Sequence, residues 1–137
     1  MSPEFSAGGV VVDDAGRTIV IVPTRRAADG SKTLTLPKGH PEGDESAPQA
    51  AQREIREEAG VETELVEKLG DVRYWYQRAG RRIPKVVSFF LFRYVAGVPE
   101  DHDHEVEEAR WMDLAEATRA LTYKGERDMA ARALARR

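Results

Sequence analysis

The chain has 137 residues, of which 33% are charged, with a formal net charge of −3 and no cysteine. That length leaves room for one hydrophobic core over residues 1–137, not two. The charge balance gives no basic footprint for nucleic acid, and without cysteine there is no disulfide framework, thiolate nucleophile or thiolate metal ligand. No apolar run reaches the ~18 residues a membrane span needs, and no secretory signal pattern opens the chain. The expectation is a cytoplasmic protein with no membrane or nucleic-acid partner.

In chain order, Phe5 to Val12 (F-S-A-G-G-V-V-V) is small and apolar and reads as a strand. Gly8-Gly9 within it signals the close approach of another backbone or a ligand. Asp13 to Gly16 is a turn cluster, and Arg17 to Val22 continues as a buried strand that Pro23 closes. Thr24 to Ser31 reads as a polar loop carrying Arg25 and Arg26. Lys32 to Leu36 alternates and reads as a short strand ending at Pro37. Glu62 to Gln77 reads as extended, with Val72, Tyr74 and Tyr76 on one face and Arg73, Trp75 and Gln77 on the other. Arg78-Ala79-Gly80-Arg81 is a hairpin turn candidate, followed by a long β-branched and aromatic strand from Ile83 to Val95. Gly97 to His104 is an acidic loop, Glu108 to Asp113 a short strand with Trp111, and Leu114–Leu121 and Gly125–Arg137 are helices. Met129, Ala133 and Leu134 give the last helix an apolar side. Trp75 and Trp111 read as packing residues. This order gives an α/β fold with a mixed sheet between helices.

The most informative stretch lies between Leu36 and Val61. Ser46 and Gln49 have capping-box spacing, good helix formers fill Ala50 to Ala59, and Gly60 suits a left-handed cap. Ala47, Ala51, Ile55 and Ala59 recur every four residues as an apolar stripe. Glu54, Glu57 and Glu58 fall within an arc of roughly 100° of the same helix, with Arg53 at i,i+4 from Glu57. Two readings stand for such an arc. One is a solvated acidic face; the other is a site for a hard divalent cation, Mg2+ or Mn2+.

The spacing around that helix decides between them. Gly39 is followed after five residues by Glu45, after seven more by Arg53-Glu54-Ile55, then by Glu57-Glu58 and Gly60-Val61. This run, residues 39–61, resembles the Nudix box at every fixed position, and the chain is identified as a member of the Nudix hydrolases. Farther out, F-S-A-G-G-V, L-P-K-G-H, G-D-V-R-Y-W-Y with G-R-R-I-P-K, and L-T-Y-K-G-E-R resemble bacterial diadenosine tetraphosphate hydrolases of that superfamily. Leu34 departs from the usual tryptophan, and Gly43-Asp44 from the usual Pro-Gly.

The resemblance implies a Nudix-type α/β/α sandwich and metal-dependent hydrolysis of a phosphoanhydride, with Mg2+ as cofactor and a small nucleotide as partner. It implies metal ligation by Gly39, Glu54, Glu57 and Glu58, with Arg53 orienting a glutamate. Glu45 has two readings, a partner of the helix dipole or a further ligand. The general base is Glu57 or Glu105. Lys85 matches a lysine that meets the phosphate chain, Tyr76 and Tyr123 match aromatics that stack on adenine, and Lys38 is near enough to the box to assist. His102 and His104 lack the neighbours a zinc site needs. The implied substrate is diadenosine tetraphosphate, cleaved to ATP and AMP. The rivals are 8-oxo-dGTP, ADP-ribose, diphosphoinositol polyphosphates, and a non-hydrolysing nucleotide sensor; the intact set of box glutamates favours an enzyme.

Overall fold

The computed structural model describes residues 3–137, so the first two positions of the expected 1–137 unit lie outside the described residues. Strand β1 (Glu4–Val12) pairs in parallel with β5 (Arg81–Gly97) and antiparallel with the short β3 (Lys38–Gly39). The long strand β4 (Val61–Arg78) pairs antiparallel with β5, which gives a mixed sheet in the order β3-β1-β5-β4. Beside it, β2 (Arg17–Pro23) and β6 (Val106–Asp113) form an antiparallel pair. Helix α1 (Ala47–Ala59) covers one side, and α2 (Leu114–Ala120) and α3 (Lys124–Ala135) cover the other. No helix among the described residues is long and apolar enough to cross a membrane.

Strand alternation builds the two cores. Val10, Val20, Val87, Phe89 and Leu91 point to α2 and α3, where Leu114, Leu121 and Met129 meet them. Their neighbours Val11, Ile19, Ile21, Phe90 and Phe92 point the other way, to Ala51, Ile55 and Ala59 of α1. Successive strand residues face opposite sides, so one sheet feeds both layers. Of the stripe expected on α1, Ala51, Ile55 and Ala59 are buried and Ala47 is half-buried, and Ala50 joins them. A buried side chain such as Ile55 is worth about 2–5 kcal/mol against alanine.

Both ends of α1 form as the sequence requires. Ser46 and Gln49 make a reciprocal capping box, and Gly60 takes the left-handed cap at φ 69°. The glycine pair of β1 has the expected cause at Gly8, which another backbone approaches, whereas Gly9 makes room for side chains. A Cβ on Gly8 would lie 2.5 Å from the Pro37 carbonyl, and one on Gly9 would lie 2.6 Å from the Phe92 ring. Those gaps let the segment leading into β3 and helix α1 close on the sheet from opposite sides. The hairpin turn is also as expected: Ala79 and Gly80 link β4 to β5, both at positive φ.

Three expectations are corrected. Lys32–Leu36 is not a strand; Thr35 makes one isolated bridge with Ile21, and pairing resumes only at Lys38. Beside that bridge, the backbone turns to the α2–α3 connection, where Thr122 takes both Leu34 backbone groups. Trp75 is not a packing residue, since it is 58% exposed with the Arg82 guanidinium over its ring. That part of the β4–β5 hairpin extends past the helices. Leu134 is exposed as well, and α3 packs through Met129, Ala130 and Ala133. Trp111 does pack, edge-on to Tyr94.

Candidate active site

Helix α1 brings Arg53, Glu54, Glu57 and Glu58 to the edge of the sheet beside β3. The Arg53 guanidinium organises this group. Its Nε donates to Glu45 (2.8 Å) and one terminal nitrogen donates to Glu54 (2.9 Å) and Glu57 (3.2 Å). The other terminal nitrogen donates to Glu45 (3.1 Å) and to the His40 carbonyl (2.9 Å). A planar fork can serve several acceptors in fixed directions, which an ammonium cannot. Glu45 is held by this fork. It is a loop anchor that takes Arg53 with both oxygens and the Glu42 N–H besides, and these bonds hold its carboxyl below its ordinary range. The same bonds raise the Arg53 pKa, so its charge is fixed.

The glutamates differ in surroundings. Glu57 is the most open, with 46% of its side chain accessible. Burial raises the Glu54 carboxyl, although Arg53 opposes the shift. Burial raises Glu58 further, to about 8, against the pull of the Lys38 N–H, which donates to it at 2.9 Å. Glu54 also lies against the main chain of Gly39, where a Cβ would fall 2.2 Å from its carboxyl carbon. Only glycine admits the carboxylate there.

Two half-buried carboxylates and one open one, all oxygen donors, suit a hard divalent cation that would relieve the cost of desolvating their charge. Among the described residues, no three acidic or histidine side chains already form a ready-made metal cluster. Glu54 and Glu57 are turned to Arg53 instead.

The loop before β6 closes over this group. The Asp103 N–H donates to the Glu57 carbonyl, and the Asp103 carboxylate accepts the Glu105 N–H. Glu105 lies near enough for its charge to raise Glu54. Its carbonyl accepts the Thr24 N–H, which ties the β2 end to the same loop. His102 turns to the Asp103 carbonyl.

A second group of side chains faces α3. Lys38 pairs with Glu126 at 2.8 Å; burial disfavours its charge, but Glu126 outweighs this and raises its pKa. Tyr74, opposite Lys85 across the hairpin, is close enough to feel the charges of Lys38, Glu126 and Tyr123. Lys85 is lowered by burial and senses Glu4, Lys38 and Arg25. Tyr123 is 47% exposed. The Tyr76 hydroxyl donates to Glu4, which also pairs with Arg78. Arg26 is held away by Glu107.

The structure therefore gathers the sequence-derived residues into two adjoining groups. Lys38 joins them, with its main chain on Glu58 and its side chain on Glu126 near Tyr74. Sequence reasoning missed Asp103, Glu126 and the part Tyr74 plays. Glu126 did leave a trace, because it continues the 129, 130, 133 stripe of α3 as a charge at an apolar position.

An α/β/α fold with this carboxylate-bearing helix defines a Nudix domain. The NUDIX domain family matches residues 3–133, and the chain belongs to that family. It is 38% identical to the putative mutator protein MutT4 of Mycobacterium tuberculosis over 93% of this chain, and spans about half of that protein (53%). It is 30% identical to the asymmetrical bis(5'-nucleosyl)-tetraphosphatase of Mus musculus over 72% of this chain and 68% of that one. In fold it is similar to a NUDIX hydrolase from Nitrosomonas europaea, with a TM-score of 0.77 at 21% identity, covering 98% of this chain and 90% of that one. It is also similar to a C. elegans Ap4A hydrolase in a binary complex, with a TM-score of 0.73 at 24% identity, covering 96% of each.

Proposed function

We propose that this protein is a metal-dependent pyrophosphohydrolase of nucleoside polyphosphates and that diadenosine tetraphosphate is among its best substrates, cleaved to ATP and AMP. The observation that carries this reading is the junction at Lys38, where a carboxylate group fit for a cation adjoins a group of lysines and tyrosines. A phosphate chain needs the first and the lysines, and an adenine needs the tyrosines. The tetraphosphatase relative supports the same substrate class.

Gly39 through its carbonyl, with Glu54, Glu57 and Glu58, would hold Mg2+ or Mn2+. When bound, the ion would neutralise phosphate charge and acidify a water. Arg53 keeps Glu54 and Glu57 in fixed orientations, a supporting role of the kind usual around metal ligands. Glu105, or Glu57, accepts the proton of the attacking water. Asp103 fixes the main chain at Glu105 and against α1, which sets that reach. Lys38 and Lys85 hold the phosphate chain, and Tyr123 with Tyr76 holds one adenine. With the base held at one end, a single phosphorus comes in line with the water, so cleavage is asymmetric.

Hydrolysis in 18O-labelled water tests this by mass spectrometry. Label in AMP is the expected result; two molecules of ADP as the main products would refute the geometry. A second reading, sanitation of oxidised nucleoside triphosphates, rests on the relative named as a mutator protein. A kcat/KM for 8-oxo-dGTP far above that for diadenosine tetraphosphate would favour it.

A further inference from the structure

Glu126 is out of place by composition. Among the described residues it is the one charged residue that is buried, at 4% exposure. It sits on the inward face of α3 with Met129, Ala130 and Ala133, where an apolar side chain would fit the stripe. A buried carboxylate costs free energy unless its oxygens are paired, and a buried ion pair often stabilises less than an apolar replacement. Stability is therefore a poor reason for a glutamate here.

Its two oxygens have separate partners. One accepts the Leu36 N–H at 2.7 Å, and the other accepts the Lys38 ammonium at 2.8 Å. Burial demands a partner for both oxygens, so what marks a function is which partner the second one takes. The second bond goes to a lysine with 24% of its side chain accessible. An ammonium has three protons, and Glu126 takes one. The Lys38 N–H meanwhile donates to Glu58 of α1. Residues 36–38 are thus strapped between two carboxylates on helices from opposite sides of the sheet.

We propose that Glu126 is a positioning residue that aims the Lys38 ammonium at the substrate's phosphate chain and holds the entry of the Nudix box in register with Glu58. This rests on the reading of Lys38 as a phosphate contact. Glu126 removes the freedom of a four-carbon side chain before the substrate arrives, so less is lost on binding.

The test is a double-mutant cycle of Glu126→Gln and Lys38→Met in the full chain. It reads calorimetric affinity for inorganic tripolyphosphate with Mg2+, alongside KM and kcat for diadenosine tetraphosphate. Glutamine keeps an acceptor for Leu36 and loses the charge. The expected result is about tenfold weaker tripolyphosphate binding and a similar rise in KM, with kcat within about threefold, since ~1.4 kcal/mol of positioning is a factor of ten. With Lys38→Met already present, Glu126→Gln should weaken binding by less than about twofold. An equal loss in both backgrounds, or wild-type binding by a merely less stable Glu126→Gln, would overturn the proposal. So would Lys38→Met binding tripolyphosphate as tightly as wild type. Should Glu126→Gln not fold, Glu126→Asp keeps the charge and draws the ammonium toward α3. A raised KM at unchanged kcat is then expected, and a wild-type KM would overturn the inference. Poor turnover of diadenosine tetraphosphate with the binding cycle intact would count against that substrate alone.

Discussion

The two halves of the candidate site are built in opposite ways. On the carboxylate side, Arg53 reaches partners one, four, eight and thirteen residues away. One contiguous segment closes on itself there, with helix geometry setting the distances. On the lysine and tyrosine side, Glu126 reaches Lys38 across 88 residues and Leu36 across 90, and Tyr76 reaches Glu4 across 72. The hairpin pairing of Tyr74 with Lys85 is the local part of that half; the rest exists only when α3 and the hairpin dock on the sheet. The local half suits chemistry that stays constant, and the assembled half suits substrate choice, because its tyrosines and Lys85 can change without disturbing the bonds Arg53 makes from α1.

The largest expected effect separates the halves by kinetic parameter. Glu57→Gln should keep the fold and lower kcat by orders of magnitude at saturating Mg2+, because a ligand charge goes while shape stays. Tyr123→Ala should instead raise KM about 5- to 150-fold, the range for losing ~1–3 kcal/mol of base stacking. Steady-state kinetics of both variants checks this; near wild-type turnover in the first, or a loss mainly in kcat in the second, would erase the distinction.

A smaller effect probes how self-contained the carboxylate half is. Arg53→Lys keeps the charge but cannot reach Glu45, Glu54, Glu57 and the His40 carbonyl together. Mn2+ affinity, followed by electron paramagnetic resonance, should fall by about 10- to 100-fold. Affinity within twofold of wild type would mean that the glutamates hold their own orientation.

The smallest effect is on stability. Glu58 has its folded pKa raised to about 8 from an ordinary 4.5, chiefly by burial. The folded state therefore holds a proton that the unfolded state has released. Its stabilisation is complete below about pH 4.5, is lost as pH rises towards 8, and is absent above that. In the presence of a chelator, wild-type Tm should decline across this window more than the Tm of Glu58→Gln. Parallel curves would show that Glu58 titrates as an ordinary surface acid. Mg2+ should abolish the difference by taking the place of the proton.

Much of the fold was legible because its signals are local. The capping box at Ser46 and Gln49, the α1 stripe and the two-residue turn at Ala79-Gly80 each depend on a handful of neighbours. Lys32–Leu36 misled because an alternating pattern marks burial of alternate residues. Thr33, Thr35 and Leu36 are indeed buried, yet the segment's backbone bonds are divided among β2 at Thr35, Thr122 at Leu34 and Glu126 at Leu36, and no ladder forms. Trp75 misled because a large apolar residue is inside only if some other element reaches far enough along the chain to cover it.

By itself, then, the sequence determined the Nudix box: which helix forms, where it starts and stops, and that three carboxylates and Arg53 share one side of it. Those are consequences of spacings within a few turns, and a helix repeats every 3.6 residues wherever it lies. Only the tertiary structure decided that Glu45 anchors the loop through Arg53, that Asp103 braces Glu105, and that Glu126 meets Lys38. Such partners are chosen by how the strands pair and which helix face docks, and burial then makes each unpaired polar atom costly enough to enforce the choice.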